Sequence, residues 1–256
     1  KKSENTMSER ISIVMPVFNA AVWLKQTVAS VQEQTHEDWE LIAVDDCSSD
    51  GSFSMLQEMA EKDGRIRPVR LAENIGAART RNEGIRLAQG RYLAFLDSDD
   101  LWKKTKLEKE LAFLKERQAA FAFTAYEFGD ENGIGNGKIV RVPRTLSYRA
   151  ALSRTVIFTT TVMFDLERID RNLILMPDVK SEDTATWWQI LRAGYTAHGL
   201  NENLAVYRRP KNSLSSNKLE AIRRIWNLYR NREKLSVAAS ASYLCFRALR
   251  ATDRRL

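Results

Sequence analysis

Short apolar runs alternate with stretches in which apolar residues return every three or four positions, and this alternation persists to about Glu116. The apolar runs at 11–17, 39–44, 66–71 and 92–96 each end at polar residues, as strands buried on both faces do. Between them, Val22, Leu24, Val28 and Val31 recur at helical spacing, as do Met55, Leu56 and Met59. A third helix over 76–88 carries Ala77, Ala78, Ile85, Leu87 and Ala88. Strand and helix in strict alternation predict an α/β fold, a mostly parallel sheet flanked by helices.

From Phe121 the texture changes. Residues 121–128 and 138–142, joined by a glycine-rich turn at 133–137, predict a hairpin and therefore a small antiparallel element. A strand at 159–164, a helix over 183–193 and a last strand at 204–207 follow. Beyond Lys218, Leu219, Ile222, Ile225, Trp226 and Tyr229 recur at helical spacing. In a second helical pattern Leu235, Ala238, Ala239, Cys245, Phe246 and Leu249 fall on one side and Arg247, Arg250 and Arg254 on another. The expected organisation is a catalytic domain over 8–217, with halves 8–116 and 117–217, and a helical extension over 218–256.

A chain of 256 residues can bury about three-quarters of its unfolded surface and needs no covalent staples. Cys47 and Cys245 alone suggest neither a disulfide framework nor a thiolate zinc site, and a reducing compartment is expected. No apolar run is long enough to span a bilayer, the first residues are polar, and Met7 reads as the natural start. The net charge of +7 and pI near 9.4 invite thoughts of nucleic acid until the charges are located. Ten Lys/Arg against Glu220, Glu233 and Asp253 place the whole excess in the extension. The main domain is formally neutral, which argues against a nucleic-acid face and for a basic appendage.

The candidate chemistry gathers where strands end, because ligands of open parallel sheets collect beyond the carboxyl ends of the strands. At Asp97-Ser-Asp-Asp100, crowded carboxylates repel one another and lose hydration, so a cation is expected among them. A hard Mg²⁺ or Mn²⁺ ion that shares substrate phosphates suits oxygen donors; the plain alternative is that Asp99 or Asp100 caps a helix. Asp45 and Asp46 could accept from base or ribose groups, with Asp50 capping the next helix; Asn19 could bond a base or cap the first helix. Arg79, Arg81 and Asn82 could face phosphate or lie in solvent. His36 and His198 lie outside these segments.

In order, Val14-Met-Pro-Val-Phe-Asn19, Val44-Asp-Asp-Cys-Ser-Ser-Asp-Gly51, the 74–84 segment Asn-Ile-Gly-Ala-Ala-Arg-Thr-Arg-Asn-Glu-Gly, the 90–100 segment ending Asp-Ser-Asp-Asp100, and Ser181-Glu-Asp183 resemble the motif series of glycosyltransferase family 2. The resemblance covers about residues 10–210 and is strongest to bacterial transferases of capsular, teichuronic-acid or lipopolysaccharide synthesis. It implies the GT-A fold, a Rossmann-like sheet, and inverting transfer from a nucleotide-sugar, UDP-linked, to a saccharide or lipid-linked saccharide. Carried over by position, Pro16, Val17, Phe18, Asn19, Asp45 and Asp46 would line the base and ribose pocket. Asp97 and Ser98 would approach the ribose, Asp99 the Mn²⁺ or Mg²⁺, and Asp100 the donor sugar. Cys47 stands where the family often has glycine or asparagine.

The resemblance makes Asp183 the base that takes the acceptor proton; without it, Ser181, Glu182 and Asp183 would merely open a helix, where acids are favoured. Glu182 is then a neighbour able to raise the pKa of Asp183. Trp187 and Trp188 are not both expected to face the core, leaving one as a platform for a sugar ring. Arg208 or Arg209, in a segment running from Tyr207 to Ser215 that resembles one closing over the diphosphate, could contact phosphate. The expected setting is cytoplasmic, with the second tail helix lying on an anionic membrane or packing as an ordinary or dimer contact.

Three other readings bear on the same residues. A dinucleotide-dependent oxidoreductase needs a glycine fingerprint after the first strand, where this chain has Pro16-Val-Phe-Asn-Ala20. A phosphatase built on Asp97-Ser-Asp99 is disfavoured by the third charge of Asp100. A non-catalytic sugar-nucleotide or glycan binder of an assembly complex would keep its role after Asp183→Asn.

Overall fold

The computed structural model describes residues 9–154, 156–209 and 218–253. Its first part runs β1 (Ile11–Val17), α1 (Ala21–Gln32), β2 (Trp39–Asp45), α2 (Ser52–Lys62), β3 (Ile66–Arg70), α3 (Ala77–Leu87) and β4 (Tyr92–Phe95). β5 (Leu101–Trp102), α4 (Lys106–Arg117), β6 (Phe121–Gly129), β7 (Gly135–Val140), β8 (Thr145–Leu146) and α5 (Tyr148–Leu152) follow. β9 (Val162–Asp165), α6 (Glu182–Arg192), β10 (Ala197–Arg208), α7 (Lys218–Asn227) and α8 (Val237–Asp253) complete the described chain.

One sheet runs β3-β2-β1-β4-β9-β6-β10-β5, with β7 paired to β6 and β8 to β10. β3, β2, β1 and β4 are mutually parallel, as the alternating pattern predicts. β9 runs antiparallel between β4 and β6, so both halves of the chain share one sheet. Strand alternation divides the core in two. Val14, Ile42, Phe95, Phe121 and Phe123 face α3, α6 and the tail, while Ile13, Met15, Leu41, Ala43 and Ala122 face α1, α2 and α4.

Three strand boundaries depart from expectation, and the first is the second hairpin strand, which covers Gly135–Val140 instead of 138–142. Residues 159–161 form a 3₁₀ turn before β9 begins at Val162. The last strand starts at Ala197, because it pairs with β6 from His198 onward, and that pairing overrides its polar middle at Asn201, Glu202 and Asn203.

The start of the basic extension belongs to the core. After α7 a π-helical turn at Leu228–Arg232 presents Tyr229, whose ring stacks on Trp188 at 5.1 Å and 5°. The Tyr229 hydroxyl donates to the Leu152 carbonyl, and Glu233 accepts from Arg192 at 2.9 Å and from Tyr148 at 2.5 Å. Among the described residues no helix is long and apolar enough to cross a membrane.

Candidate active site

β4 delivers the acidic corner. The three carboxylates meet different fates there, and the differences come from their neighbours. Asp97 is ion-paired with Arg81 at 2.6 Å, and its N–H donates to Thr160 Oγ1 at 3.3 Å. Asp100 is wholly buried and accepts the Arg208 N–H at 3.0 Å; burial and the charges of Asp99 and Asp97 hold its pKa well above the carboxylate range. It therefore pins the end of β10 and, with no exposed surface, does not reach the donor sugar as the resemblance suggested. Asp99 is half-buried and has neither an ion pair nor a side-chain hydrogen bond among the described residues. Burial and the charge of Asp97 push its pKa up to about 6.

Arg81 ties this corner to the second half. α3 approaches β1 closely because position 84 is glycine; a Cβ there would lie 2.4 Å from Val14 Cγ1. The helix thus carries Arg81 inside, where Nη2 meets Asp97 and Nη1 meets Glu182 at 2.8 Å. Burial works against its charge, yet Asp97 and Glu182 more than offset this and hold the guanidinium pKa above its ordinary value. Asn82 clamps the Met176 backbone, donating to its carbonyl and accepting from its N–H, each at 2.8 Å. Arg79, a candidate phosphate ligand in the sequence, is exposed and ion-paired with Asp178 at 2.5 Å. Three α3 side chains thus hold segment 176–182 instead of reaching toward phosphate.

On the other side of β1, Asp45 is fully buried; its Oδ2 accepts the Ser48 N–H at 3.1 Å and lies 3.8 Å from Arg70. Its Oδ1 has no hydrogen-bond partner among the described residues. Asp46 accepts N–H bonds from Ile75 (2.7 Å) and Gly76 (3.0 Å), so it orders the entry to α3. Asn19 adopts φ 48° and bonds the Ser49 N–H at 3.0 Å; the N–H of the first residue of α1 goes to Asp50 instead. Asp50 also accepts from the N–H and hydroxyl of Ser52, the first residue of α2, although the N-cap position itself is taken by Gly51 and not by Asp50. Phe18 is exposed and Pro16 half-buried, whereas the side chain of Val17 lies in the core and only its carbonyl, bonded to the Asp46 N–H, faces this loop. Ser98, half-buried, takes a hydrogen bond from Thr27 on its carbonyl. Cys47 adopts φ 61°, a left-handed conformation, which is why glycine or asparagine suits its place.

α6 opens with Ser181 at φ 62°, followed by Glu182 and Asp183 in its first turn. Burial and the neighbouring Glu182 raise the pKa of Asp183, against its hydrogen bond from Thr184 N–H and the charge of Arg81. Trp187 and Trp188 are both buried, contrary to the expected sugar platform. Trp187 packs on Phe95, Phe121 and Phe164, and the tail covers the other side of the helix with Tyr229 over Trp188.

Arg208 at the end of β10 is almost fully buried and donates to Gln26 Oε1 at 2.6 Å. Burial lowers its pKa against the charges of Asp99, Asp100 and Asp130, and its Nε and Nη1 have no hydrogen-bond partner among the described residues. Arg209 is exposed, 5.0 Å above the Phe128 ring. The residues expected to follow as a closing segment, from Pro210 to Ser215, lie outside the described residues. Thr160 and Gln26, which touch Asp97 and Arg208, carry no signal in the sequence beyond being polar.

The profile of Glycosyl transferase family 2 matches residues 12–165, the stretch that carries the acidic corner and the turns after β1 and β2. This chain belongs to glycosyltransferase family 2. It is a glycosyltransferase, and relatives extend the match beyond β9. TuaG of Bacillus subtilis (strain 168), named provisionally as a teichuronic acid biosynthesis glycosyltransferase, is 47% identical over 226 residues, 88% of this chain and 89% of that protein. The Escherichia coli UDP-Glc:alpha-D-GlcNAc-diphosphoundecaprenol beta-1,3-glucosyltransferase WfgD is 34% identical over 85% of this chain and 84% of its own. Among solved structures, Staphylococcus aureus TarS 1–349 in complex with UDP-GlcNAc superposes with a TM-score of 0.69 at 19% identity, over 92% of this chain and 70% of that one. The mannosyltransferase PcManGT from Pyrobaculum calidifontis, in complex with GDP-Man and Mn²⁺, gives 0.70 at 20% identity, over 93% and 70%. These likenesses establish the GT-A-type fold.

The acidic corner suits a hard divalent cation. Its donors are carboxylate oxygens alone, and Asp99 is the one of the three with no ion pair and no side-chain hydrogen bond to another residue among the described residues. Among the described residues no three acidic, His or Cys side chains converge as a complete ligand set. Such an ion would share its remaining positions with water and diphosphate oxygens, which is the habit of Mg²⁺ and Mn²⁺.

Proposed function

We propose that this glycosyltransferase moves a single sugar, with inversion and with a divalent cation, from a UDP-sugar to a saccharide or lipid-linked saccharide in bacterial surface polysaccharide synthesis. The observation that carries the reading is the unpaired Asp99 of the acidic corner, joined through Asp97, Arg81 and Glu182 to the helix that bears Asp183. Support for the donor and acceptor classes comes from WfgD, whose name specifies UDP-Glc and a diphosphoundecaprenol-linked sugar. TuaG supports the polysaccharide setting and PcManGT the metal.

Asp99 would hold Mn²⁺ or Mg²⁺, with Asp97 beside it. That ion supplies charge neutralisation for the departing diphosphate. Arg208, with two buried nitrogens awaiting acceptors, adds a fixed positive charge on the same side. Asp45, Asp46, Asn19 and the backbone around Pro16 and Phe18 form the nucleoside side. Asp183 takes the proton of the acceptor hydroxyl as that oxygen bonds to the anomeric carbon; the bond from that carbon to the diphosphate oxygen breaks, and the electron pair leaves with UDP. Arg81 holds Glu182 in an ion pair at 2.8 Å, leaving Asp183 as the carboxylate free to accept.

The test is thermal stabilisation and sugar release across a panel of UDP- and GDP-linked sugars, with Mn²⁺ or chelator. A metal-dependent rise in melting temperature with one UDP-sugar, lost in Asp99→Asn, is expected. Equal stabilisation in chelator, or by Asp99→Asn protein, would refute the metal assignment.

A further inference from the structure

We propose that the outward face of α8 docks onto the anionic surface of a lipid bilayer. At 100° per residue, Val237, Ala241, Cys245, Phe246, Ala248 and Leu249 span about half the circumference of the helix. Every one of them is exposed, with Val237 at 59%, Phe246 at 51% and Leu249 at 64%, and the one charged position of the helix within the arc is Asp253, its last residue. The basic residues lie on the opposite face and turn inward. Arg247 donates to the Arg154 carbonyl at 3.2 Å, and Arg250 to the hydroxyl and carbonyl of Ser153, the residue that ends α5. They cap the end of α5 beside Tyr243 and Leu244, which pack on the core from the same side of the helix. The helix therefore packs on the core through one side, with Ser240, Tyr243 and Leu244 among the arginines, and leaves a largely apolar, partly aromatic side outside. Exposed apolar area of this kind marks a contact surface.

The surrounding charge selects the partner. In the extension Glu220 is engaged with Lys180 and Arg224, and Glu233 with Arg192. Arg223 and Lys234 are exposed and have no ion-pair partner among the described residues. The extension also holds the entire net charge of the chain. An exposed apolar face on an extension of net positive charge fits anionic headgroups over an acyl layer; a second copy would bring like charge against like. The inference concerns α8 alone and is independent of which donor or metal the active site takes.

Flotation of the full chain with vesicles of 30% phosphatidylglycerol in phosphatidylcholine tests it, against pure phosphatidylcholine. Binding to the anionic vesicles is expected, reduced roughly tenfold by Phe246→Gln with Leu249→Gln, a pair that preserves charge and helix propensity. Arg223→Gln with Lys234→Gln should weaken the preference for anionic lipid. Unchanged melting temperature and donor binding in these variants would show that fold and active site are intact. The proposal fails if the protein ignores both vesicles, or if its binding vanishes in salt and does not respond to the Gln pair. It also fails if the same pair instead dissociates a dimer seen in sedimentation.

Discussion

Asp183 stands at the start of a helix, where the N-terminal partial charge favours an ionised carboxylate, yet burial and Glu182 leave its pKa raised. The consequence is a base that is protonated, and so inactive, at pH values where an ordinary aspartate is already ionised. The rate should rise with pH along a limb displaced above the ordinary carboxylate range, because the deprotonated form is the working one. Asp183→Asn should lower kcat by about 10²–10⁴ with little change in donor binding, and the acidic limb assigned to Asp183 should disappear from its residual rate. Single-turnover transfer measured from pH 4 to 8 checks both. At this scale the sequence was partly legible. Asp99 and Asp183 could be singled out because charge crowding and motif order act locally along the chain. The fates of Asp100 and Arg79 were not visible, since each is decided by a partner far away in sequence: the Arg208 N–H in one case and Asp178 in the other.

Elements carry the next level of argument, and α4 shows what pattern alone conceals. Its Lys106 and Glu110, spaced as an ordinary surface pair, are both fully buried and ion-paired, with the Lys106 ammonium 4.4 Å from the Trp102 ring centre. Trp102 donates to the Thr160 carbonyl at 2.8 Å, and Thr160 holds the Asp97 N–H, so this pair underlies the acidic corner. Burial pulls the Lys106 pKa down and pushes that of Glu110 up to about 7. Lys106→Met should destabilise by about 3–5 kcal/mol, because it strands the Glu110 carboxylate in the core. Without its partner, Glu110 has a folded-state pKa raised above the unfolded value, so the variant's stability is best at low pH and declines as pH rises toward 8. Lys106→Met with Glu110→Leu should return to within about 1 kcal/mol of the parent or exceed it. Urea denaturation of both proteins at pH 6 and 8 decides the matter. The strands were readable for the opposite reason: β1, β2 and β4 are buried on both faces and need no partner pattern beyond a mostly apolar sequence.

Across the whole molecule, the basic extension is structural before it is anything else. Periodicity located its first helix, but only the packing shows that Tyr229 covers Trp188 and bonds the carbonyl of Leu152, closing the face of α6 opposite the sheet. That contact explains why two adjacent tryptophans can both be buried on one helix, which a two-layer reading of the sequence does not allow. It also makes the C-terminal segment part of the scaffold that positions Asp183. Tyr229→Ala opens a cavity between α5 and α6 and removes a buried hydrogen bond, so a loss of about 3–5 kcal/mol is expected, or roughly 10 °C in melting temperature for a chain of this size. Tyr229→Phe should cost only about 1 kcal/mol, the share of the hydroxyl. Removal of everything after residue 236 leaves the Trp188–Tyr229 stack in place and should give a folded transferase. Removal of everything after residue 209 exposes Trp188 and should give a protein that aggregates. Calorimetry and size-exclusion chromatography of the two truncations separate a tail that completes the fold from one merely appended to it.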